Sequence, residues 1–302
     1  MNADTECLAC CRRKAEGLLE QYRVSEQIRH TVLGRVDQFL KSDRIERMAA
    51  PVIMAEILSI VDEKVEIANA YEKPKEQYNQ KLLGMEDAVM ADIESAGDRF
   101  LAAIQYAVTG NYIDFGAMDD VREEQLAELL ENRASVELDK DELNRLYQEL
   151  SRAHTLVYIT DNAGEIVLDK VFIKVLKQLY THLKITVVVR GFPTLNDATY
   201  EDAESVGLTE IVRVMPNGTD VPGTPLDEID PKIRDMIDNA DLCIAKGQGN
   251  FETLHGCGMN IFYLFLCKCD LFTKKFQTER FTPVLKNELR IVQSAQKIKG
   301  LF

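Results

Sequence analysis

Asp161, Asn162 and Asp197 carry hard oxygen donors, and each lies shortly beyond an apolar, β-branched run: "TLVYIT" (155–160) before the first two, "KITVVVR" (184–190) before the third. Lys246 closes another run, "DLCIAK" (241–246), and opens "KGQGNFETL". Two carboxylates and a side-chain amide oxygen suit a divalent cation with positions left open for water and a phosphoryl oxygen. A lysine beside glycine-opened helix starts suits an anion, because glycine lets backbone N–H groups approach closely and a helix N-terminus carries positive partial charge. In combination these residues point to phosphate-ester hydrolysis. Water is made a better nucleophile at the cation, Lys246 neutralises an equatorial phosphate oxygen, and the amides after Gly164 and Gly247 hold the others.

A plainer reading fits the same spacing. Asp161 and Asn162 would cap a helix starting near Gly164, Asp197 would brace a turn, and Lys246 would be a solvated lysine at a strand end. Spacing alone leaves both readings open. Other chemistries lack their residues: there is no G-x-G-x-x-G, no G-x-x-x-x-G-K-[ST] and no D-x-D-x-[TV], and the four histidines show no metal-ligand spacing.

The elements that must position these residues divide the chain in two. Residues 1–152 read as an all-helical domain. "LACCRRKAEGLLEQYR", "SEQIRHTVLGRVDQFLK" (with Ser25 as an N-cap) and "VIMAEILSIVDEKVEIANAY" repeat apolar residues every three or four positions. The stretches 86–109, 119–132 and 138–150 continue that period, and "TGNYIDFG" (109–116) reads as a loop. From residue 153 to 302 short β-branched runs alternate with longer helical ones, which predicts a Rossmann-like, doubly wound, mainly parallel sheet and an α/β fold overall. Predicted strands are 155–160, 184–190, 210–215 and 241–246, with crossovers "EIVLDKVFIKVLKQLY" and "PKIRDMIDN". In such sheets ligands bind beyond the carboxyl ends of the strands. The segments "ITDNAGE", "RGFPTLNDATYED" and "KGQGNFETLHG" all lie there, whereas "PNGTDVPGTP", after the third strand, reads as an ordinary loop.

Composition limits the partners. The 302 residues are 46% apolar, enough for a large core, and 36 basic against 50 acidic residues give a net charge of −14. That field repels a nucleic-acid backbone, so no nucleic acid is expected, and any anionic substrate needs a local pocket of cations. The longest apolar run, "IFYLFLC" (261–267), is too short to span a membrane, and no basic, apolar leader opens the chain. Seven cysteines without a secretory signal favour thiols and a cytoplasmic location. C-x-x-C at Cys7 and Cys10 could join Cys267 and Cys269 around zinc, although buried thiols packing the first helix explain the same residues.

"DNAGE", "RGFPTLNDAT" and "KGQGNFETL", in that order and each at a strand end, resemble the metal-dependent damage-control phosphatases, long catalogued as domain of unknown function eighty-nine. "YEKPKEQYN", "GNYIDFG" and "FLCKCD" are similar to motifs of its shorter microbial branch, so the resemblance runs from Cys7 to about Asp270. It implies a helical domain packed on a Rossmann-like one with the active site between them. It also implies hydrolysis of small phosphorylated metabolites, including sugar phosphates, with Mn, Co, Ni or Mg. On that resemblance Asp161, Asn162 and Asp197 are the metal ligands. Lys246, Gly247, Gly249, Asn250, Lys268, Asn111 and Asp114 face substrate or phosphate, and Glu165 binds beside the metal. "LFTKKFQTERFTPV" after Asp270 departs from the family pattern and leaves the last sheet edge unassigned. Two rivals use the same frame. A carboxyl methyltransferase dependent on S-adenosylmethionine would need a Gly-rich loop where Asp161 and Asn162 stand, and a non-catalytic phosphometabolite-binding protein would have no need of the Asp161, Asn162, Asp197 trio.

Overall fold

The computed structural model describes residues 1–67, 70–114 and 123–292. Its first three helices, α1 (Thr5–Gln21), α2 (Glu26–Leu40) and α3 (Ala50–Val65), close their apolar faces on one another around Leu18, Val32, Val36, Ile53 and Ile57. Ser25 caps α2 as expected, accepting a hydrogen bond from the Ile28 N–H. The helix read as continuing to Tyr71 instead stops at Val65, where Glu66 turns into the left-handed region at φ 52°. Residues 68–69 of that reading lie outside the described residues.

A second helical group follows: α4 (Glu72–Leu83), α5 (Glu86–Ser95), α6 (Arg99–Gly110), α7 (Glu123–Glu131) and α8 (Lys140–Leu150). The single helix read over 86–109 is two. Asp98 accepts from the Leu101 N–H and so starts α6 afresh, because a short carboxylate satisfies an orphan donor better at a cap than inside a helix. Thr109 and Gly110, read as loop, finish α6. Residues 115–116 of that loop and 119–122 of the next helix lie outside the described residues.

The sheet contains β1 (Thr155–Ile159), β2 (Lys184–Val189), β3 (Arg213–Pro216), β4 (Leu242–Lys246), β5 (Ile261–Leu266) and β6 (Pro283–Asn287), in the order β3-β2-β1-β4-β5-β6. The first five are parallel and β6 runs antiparallel to β5. Around them lie α9 (Glu165–Leu179), α10 (Tyr200–Ser205), α11 (Pro231–Asp238), α12 (Gly247–Leu254) and α13 (Asp270–Phe276). The architecture is the expected two-part α/β fold, with three adjustments. The third strand is 213–216 rather than 210–215, "IFYLFL" is a fully buried strand, and the unassigned segment after Asp270 forms α13 and the antiparallel edge.

Both sheet faces are covered, which is why the central strands read as continuous apolar runs. Val157, Ile159, Tyr263 and Phe265 face α11 to α13 through Ile233, Phe251 and Phe272. Tyr158, Val187, Ile244 and Leu264 share the other core with Phe172 of α9 and Phe100 of α6. The chain passes from the helical part to β1 just after α8, yet the apolar core is continuous across that point. α6 lies along α9 so closely that a Cβ at Gly110 would stand only 2.9 Å from Leu168 Cδ1.

Strand order reverses between β1 and β4, since β2 and β3 extend to one side and β4 and β5 to the other. The crevice at the carboxyl ends of that pair is where doubly wound folds take ligands. The segment after β3 is more than an ordinary loop, because Asn217 is fully buried and its Oδ1 accepts the N–H groups of Gly191 and Thr219. A Cβ at Gly191 would stand 2.5 Å from the Gly218 backbone. Gly191→Ala is therefore expected to cost about 2 kcal/mol or more through overpacking. A urea-denaturation midpoint unchanged from the parent protein would contradict that packing.

Candidate active site

Asp161 and Asn162 leave β1 and turn into α9 at Gly164, whose φ of 77° suits glycine and whose N–H donates to Asn79 Oδ1 of α4 at 2.6 Å. A Cβ there would press to 2.9 Å from Tyr78 Cβ. Gly164 itself occupies the cap position of α9, and no side chain caps that helix. Asp161 and Asn162 therefore do not cap α9 with their side chains, and the plainer reading of these two residues falls away.

An isolated antiparallel bridge joins Asn162 to Asp197, and the Ala198 N–H donates to the Asp161 carbonyl at 2.8 Å. These contacts hold the two aspartates and the asparagine together. Asp161 Oδ2 accepts from Asn162 Nδ2 at 2.7 Å and from Asn111 Nδ2 at 3.0 Å. Asn111, fully buried just beyond the end of α6, also donates to both oxygens of Glu165 and accepts from the Leu266 N–H at the end of β5. One amide from the helical part therefore ties three points of the sheet domain. Asp114 and Lys268 form an ion pair at 2.6 Å, and the Lys268 N–H donates to Gln248 Oε1.

Gly247 opens α12 directly against Asp161. A Cβ at Gly247 would fall 2.0 Å from Asp161 Oδ2, and its φ is 79°. Gly249 meets the loop after β3, where a Cβ would lie 2.2 Å from the Pro222 carbonyl oxygen.

Two expectations are corrected by the geometry. Lys246 is fully buried and does not present its charge to a ligand: its ammonium donates to Glu165 Oε1 at 2.7 Å, Asp169 Oδ1 at 2.7 Å and the Ala107 carbonyl at 2.8 Å. Three acceptors use its three protons. Asn250 likewise braces the loops, donating to the carbonyls of Thr160 and Lys246 and accepting from Thr224 Oγ1.

The structure adds two residues that sequence reasoning passed over. Arg190, the last residue of the run read as a strand, is fully buried and donates from Nε to Asp197 Oδ2 at 2.6 Å. An arginine closing an otherwise apolar buried run was the available signal. Asp169, also fully buried, accepts from Tyr158 Oη at 2.6 Å and from Lys246. Its signal was a carboxylate on the apolar face of α9, one turn after Glu165.

The electrostatics follow from a charge inventory. Among the described residues Asp161, Glu165, Asp169, Asp197 and Asp114 are buried close to Arg190, Lys246 and Lys268, and Lys75, itself paired with buried Asp202, also acts on Asp197; the formal excess is two negative charges. Burial raises Asp161 well above the usual carboxylate range, and neighbouring Glu165 and Asp197 push it the same way. Burial also lifts Asp197 to about 6 against the pull of Arg190, and Asp169 to about 6 against that of Lys246. For Lys246 burial works downward, but Asp169 and Glu165 outweigh it and raise its proton affinity. That formal surplus, one charge at Asp161, Asp197 and Arg190 and one at Glu165, Asp169 and Lys246 just behind them, together with hard oxygen donors would suit a divalent cation near Asp161, Asn162 and Asp197. No such fit exists for the cysteines. Among the described residues no group of three or more His, Cys, Asp or Glu side chains is arranged for a metal, either among the cysteines or at the strand ends, so a cation there would rest on the two aspartates and the Asn162 amide oxygen. Cys10 is exposed while Cys267 is buried in the core beneath the sheet, so the four-cysteine zinc site is not assembled.

A doubly wound sheet with buried carboxylates and cations at its switch point defines an α/β protein of the class that takes ligands at the carboxyl ends of the strands flanking that point, here β1 and β4. Comparison supplies the family. Residues 3–282 match the damage-control phosphatase ARMT1-like domain, and the chain belongs to that family. It is 28% identical over 297 residues to a damage-control phosphatase of Pyrococcus horikoshii, covering 96% of this chain and 100% of that one. It is 34% identical over 181 residues to a damage-control phosphatase of Archaeoglobus fulgidus, covering 59% of this chain and 62% of that one. The crystal structure of a DUF89 family protein from Pyrococcus horikoshii superposes with a TM-score of 0.80 at 26% identity, over 95% of this chain and 99% of that one. No helix among the described residues is long and apolar enough to cross a membrane.

Lys246→Met would leave Glu165 and Asp169 buried without their cation, an expected loss of about 3–5 kcal/mol near neutral pH. The pKa of Asp169 is raised on folding, so its charge burdens the fold above about pH 6 and is relieved as pH falls through that value toward 4. The destabilisation of Lys246→Met, read from urea denaturation, should therefore be clearly larger at pH 7.5 than at pH 5. A loss of equal size at both would contradict the network.

Proposed function

We propose that this protein is a metal-dependent phosphatase that hydrolyses phosphate monoesters of small metabolites, sugar phosphates or damaged phosphometabolites, with a divalent cation (Mn, Co, Ni or Mg) held by Asp161, Asn162 and Asp197. The observation that carries this reading is the two-charge surplus of buried carboxylate at the switch point. Family membership supports the phosphatase chemistry. When bound, the cation would make its water more nucleophilic and withdraw charge from the phosphorus.

The remaining work falls to the chain. Asn111 roofs the cleft and fixes Asp161 and Glu165, while Lys246 sets Glu165 from below. Gly247 lets the start of α12 approach Asp161, and in this reading the first amides of α12 would donate to the phosphoryl group. Lys268, held by Asp114, adds positive charge that acts on Asp161. Burial of all these groups strengthens each electrostatic contact with a bound ester.

Metal-dependent release of phosphate from sugar phosphates or p-nitrophenyl phosphate is expected, and Asp161→Asn, nearly isosteric, should lower it at least about a hundredfold. Turnover that survives this substitution would remove the site assignment. Protons compete with a cation for carboxylates whose affinity for protons is raised, so apparent affinity for Mn, followed by calorimetry, should weaken as pH falls through about 6. Mn affinity that is level from pH 7.5 to 5 would count against these ligands.

A further inference from the structure

Arg190 carries a guanidinium that no solvent reaches and that the protein satisfies only in part. Its Nε is bonded to Asp197 Oδ2. Asp161 Oδ1 stands 3.6 Å from Nη2, close enough for charge attraction and too far for a good hydrogen bond. Nη1 and Nη2 are buried and have no hydrogen-bond partner among the described residues. Leaving the donors of a buried charge unmet is costly, and an orphaned pair of nitrogens on one guanidinium is what a site for an acceptor from outside the chain would leave.

The other buried cations of the cleft differ. Lys246 has every proton engaged by protein, and Lys268 donates to Asp114. Arg190 alone among these three keeps whole nitrogens unbonded. Its free groups form a planar fork whose spacing matches two oxygens of a tetrahedral oxyanion, a match that a single ammonium cannot offer. The fork is also anchored. Its Nε bond fixes it beside Asp197, and Asn217 with Gly218 supports the turn at Gly191 that follows. An anion taken by Nη1 and Nη2 would lie next to both aspartates.

We propose that Nη1 and Nη2 of Arg190 bind the phosphoryl group of the substrate; the choice of a phosphoryl group as the anion rests on the phosphatase reading above. A cation at Asp161 and Asp197 offsets the carboxylate surplus, and Arg190 then supplies the positive charge and the donors that a phosphate dianion still needs. Its bond to Asp197 suggests a competing role, that of counter-ion to the aspartates and nothing more. The two roles predict different responses to substitution.

In Arg190→Gln the positive charge beside Asp161 and Asp197 is gone, so Mn should bind as tightly as in the parent protein or more tightly. Inorganic phosphate, measured by calorimetry with Mn present, should bind about thirtyfold more weakly through loss of charged hydrogen bonds. Arg190→Lys, which keeps charge without the fork, should recover only part of that loss. Unchanged phosphate affinity in Arg190→Gln overturns the proposal, and so does parallel loss of Mn and phosphate binding, which would mean that Arg190 merely positions Asp197. If the variants do not fold, the parent protein decides: the side-chain nitrogen NMR signals of Arg190 should shift on saturation with phosphate in the presence of Mg, and stationary signals overturn the proposal. Should the parent protein bind phosphate through Arg190 yet release none from sugar phosphates with Mn or Co, the phosphatase reading falls and the anion site stands.

Discussion

Among the described residues Asp161, Glu165, Asp169, Asp197 and Asp114 are buried with a formal shortfall of positive charge, and that shortfall constrains how the neighbouring elements are built. Charges removed from water attract and repel strongly, and each must be met by hydrogen bonds or an opposite charge. The cleft meets this demand in two tiers. In the lower tier Lys246 joins Glu165 and Asp169, Tyr158 adds a hydroxyl donor, and a carbonyl from α6 takes the last ammonium proton. In the upper tier Asp161 and Asp197 have Arg190 between them, which leaves one formal negative charge unmet by these side chains.

This arrangement ties the helical part to the α/β part. Ala107, Asn111 and Asp114 lie at or beyond the end of α6, and Asn79 of α4 receives the N–H at which α9 begins. α6 is nearly all buried for this reason, and the shared apolar core with α9 brings its C-terminal end to the strand ends. Close backbone approach does the rest. Gly247 leaves room for the Asp161 carboxylate and Gly191 leaves room for Gly218, so the strand-end loops converge within hydrogen-bond reach of one another.

Much of the frame could be read in advance, because the signals were local. Alternation of β-branched runs with helical ones announces a parallel sheet, and polar residues beyond strand ends announce where a ligand binds, so Asp161, Asn162 and Asp197 stood out. What escaped was set by distant partners. Lys246 reads as phosphate-facing or as solvated until Asp169, 77 positions earlier, is seen beneath it. Asp169 reads as a helix-face carboxylate, and Arg190 as the polar end of a strand. Asn217 sits in a segment rich in Gly and Pro that looks like free loop, yet it holds the turn after Arg190. The edge strand β6 carries a proline, a lysine and an asparagine among its five residues, too weak a pattern to be read without β5 beside it.

Lysine and arginine divide the work of the cleft according to their shapes. An ammonium is a compact charge with three donors, and a closed set of three acceptors satisfies it fully, which suits Lys246 to a permanent internal bridge. A guanidinium has five donors in one plane, so a single carboxylate on its Nε side leaves the far edge unfilled. Exchanging the two would fail at both positions: arginine at 246 would overfill a pocket with no solvent access, and lysine at 190 would lose the open edge. In a chain of net charge −14 the capacity to receive an anion therefore depends on where the few buried cations spend their protons. Lys246 gives its protons to the fold, and the geometry of Arg190 keeps part of its own in reserve.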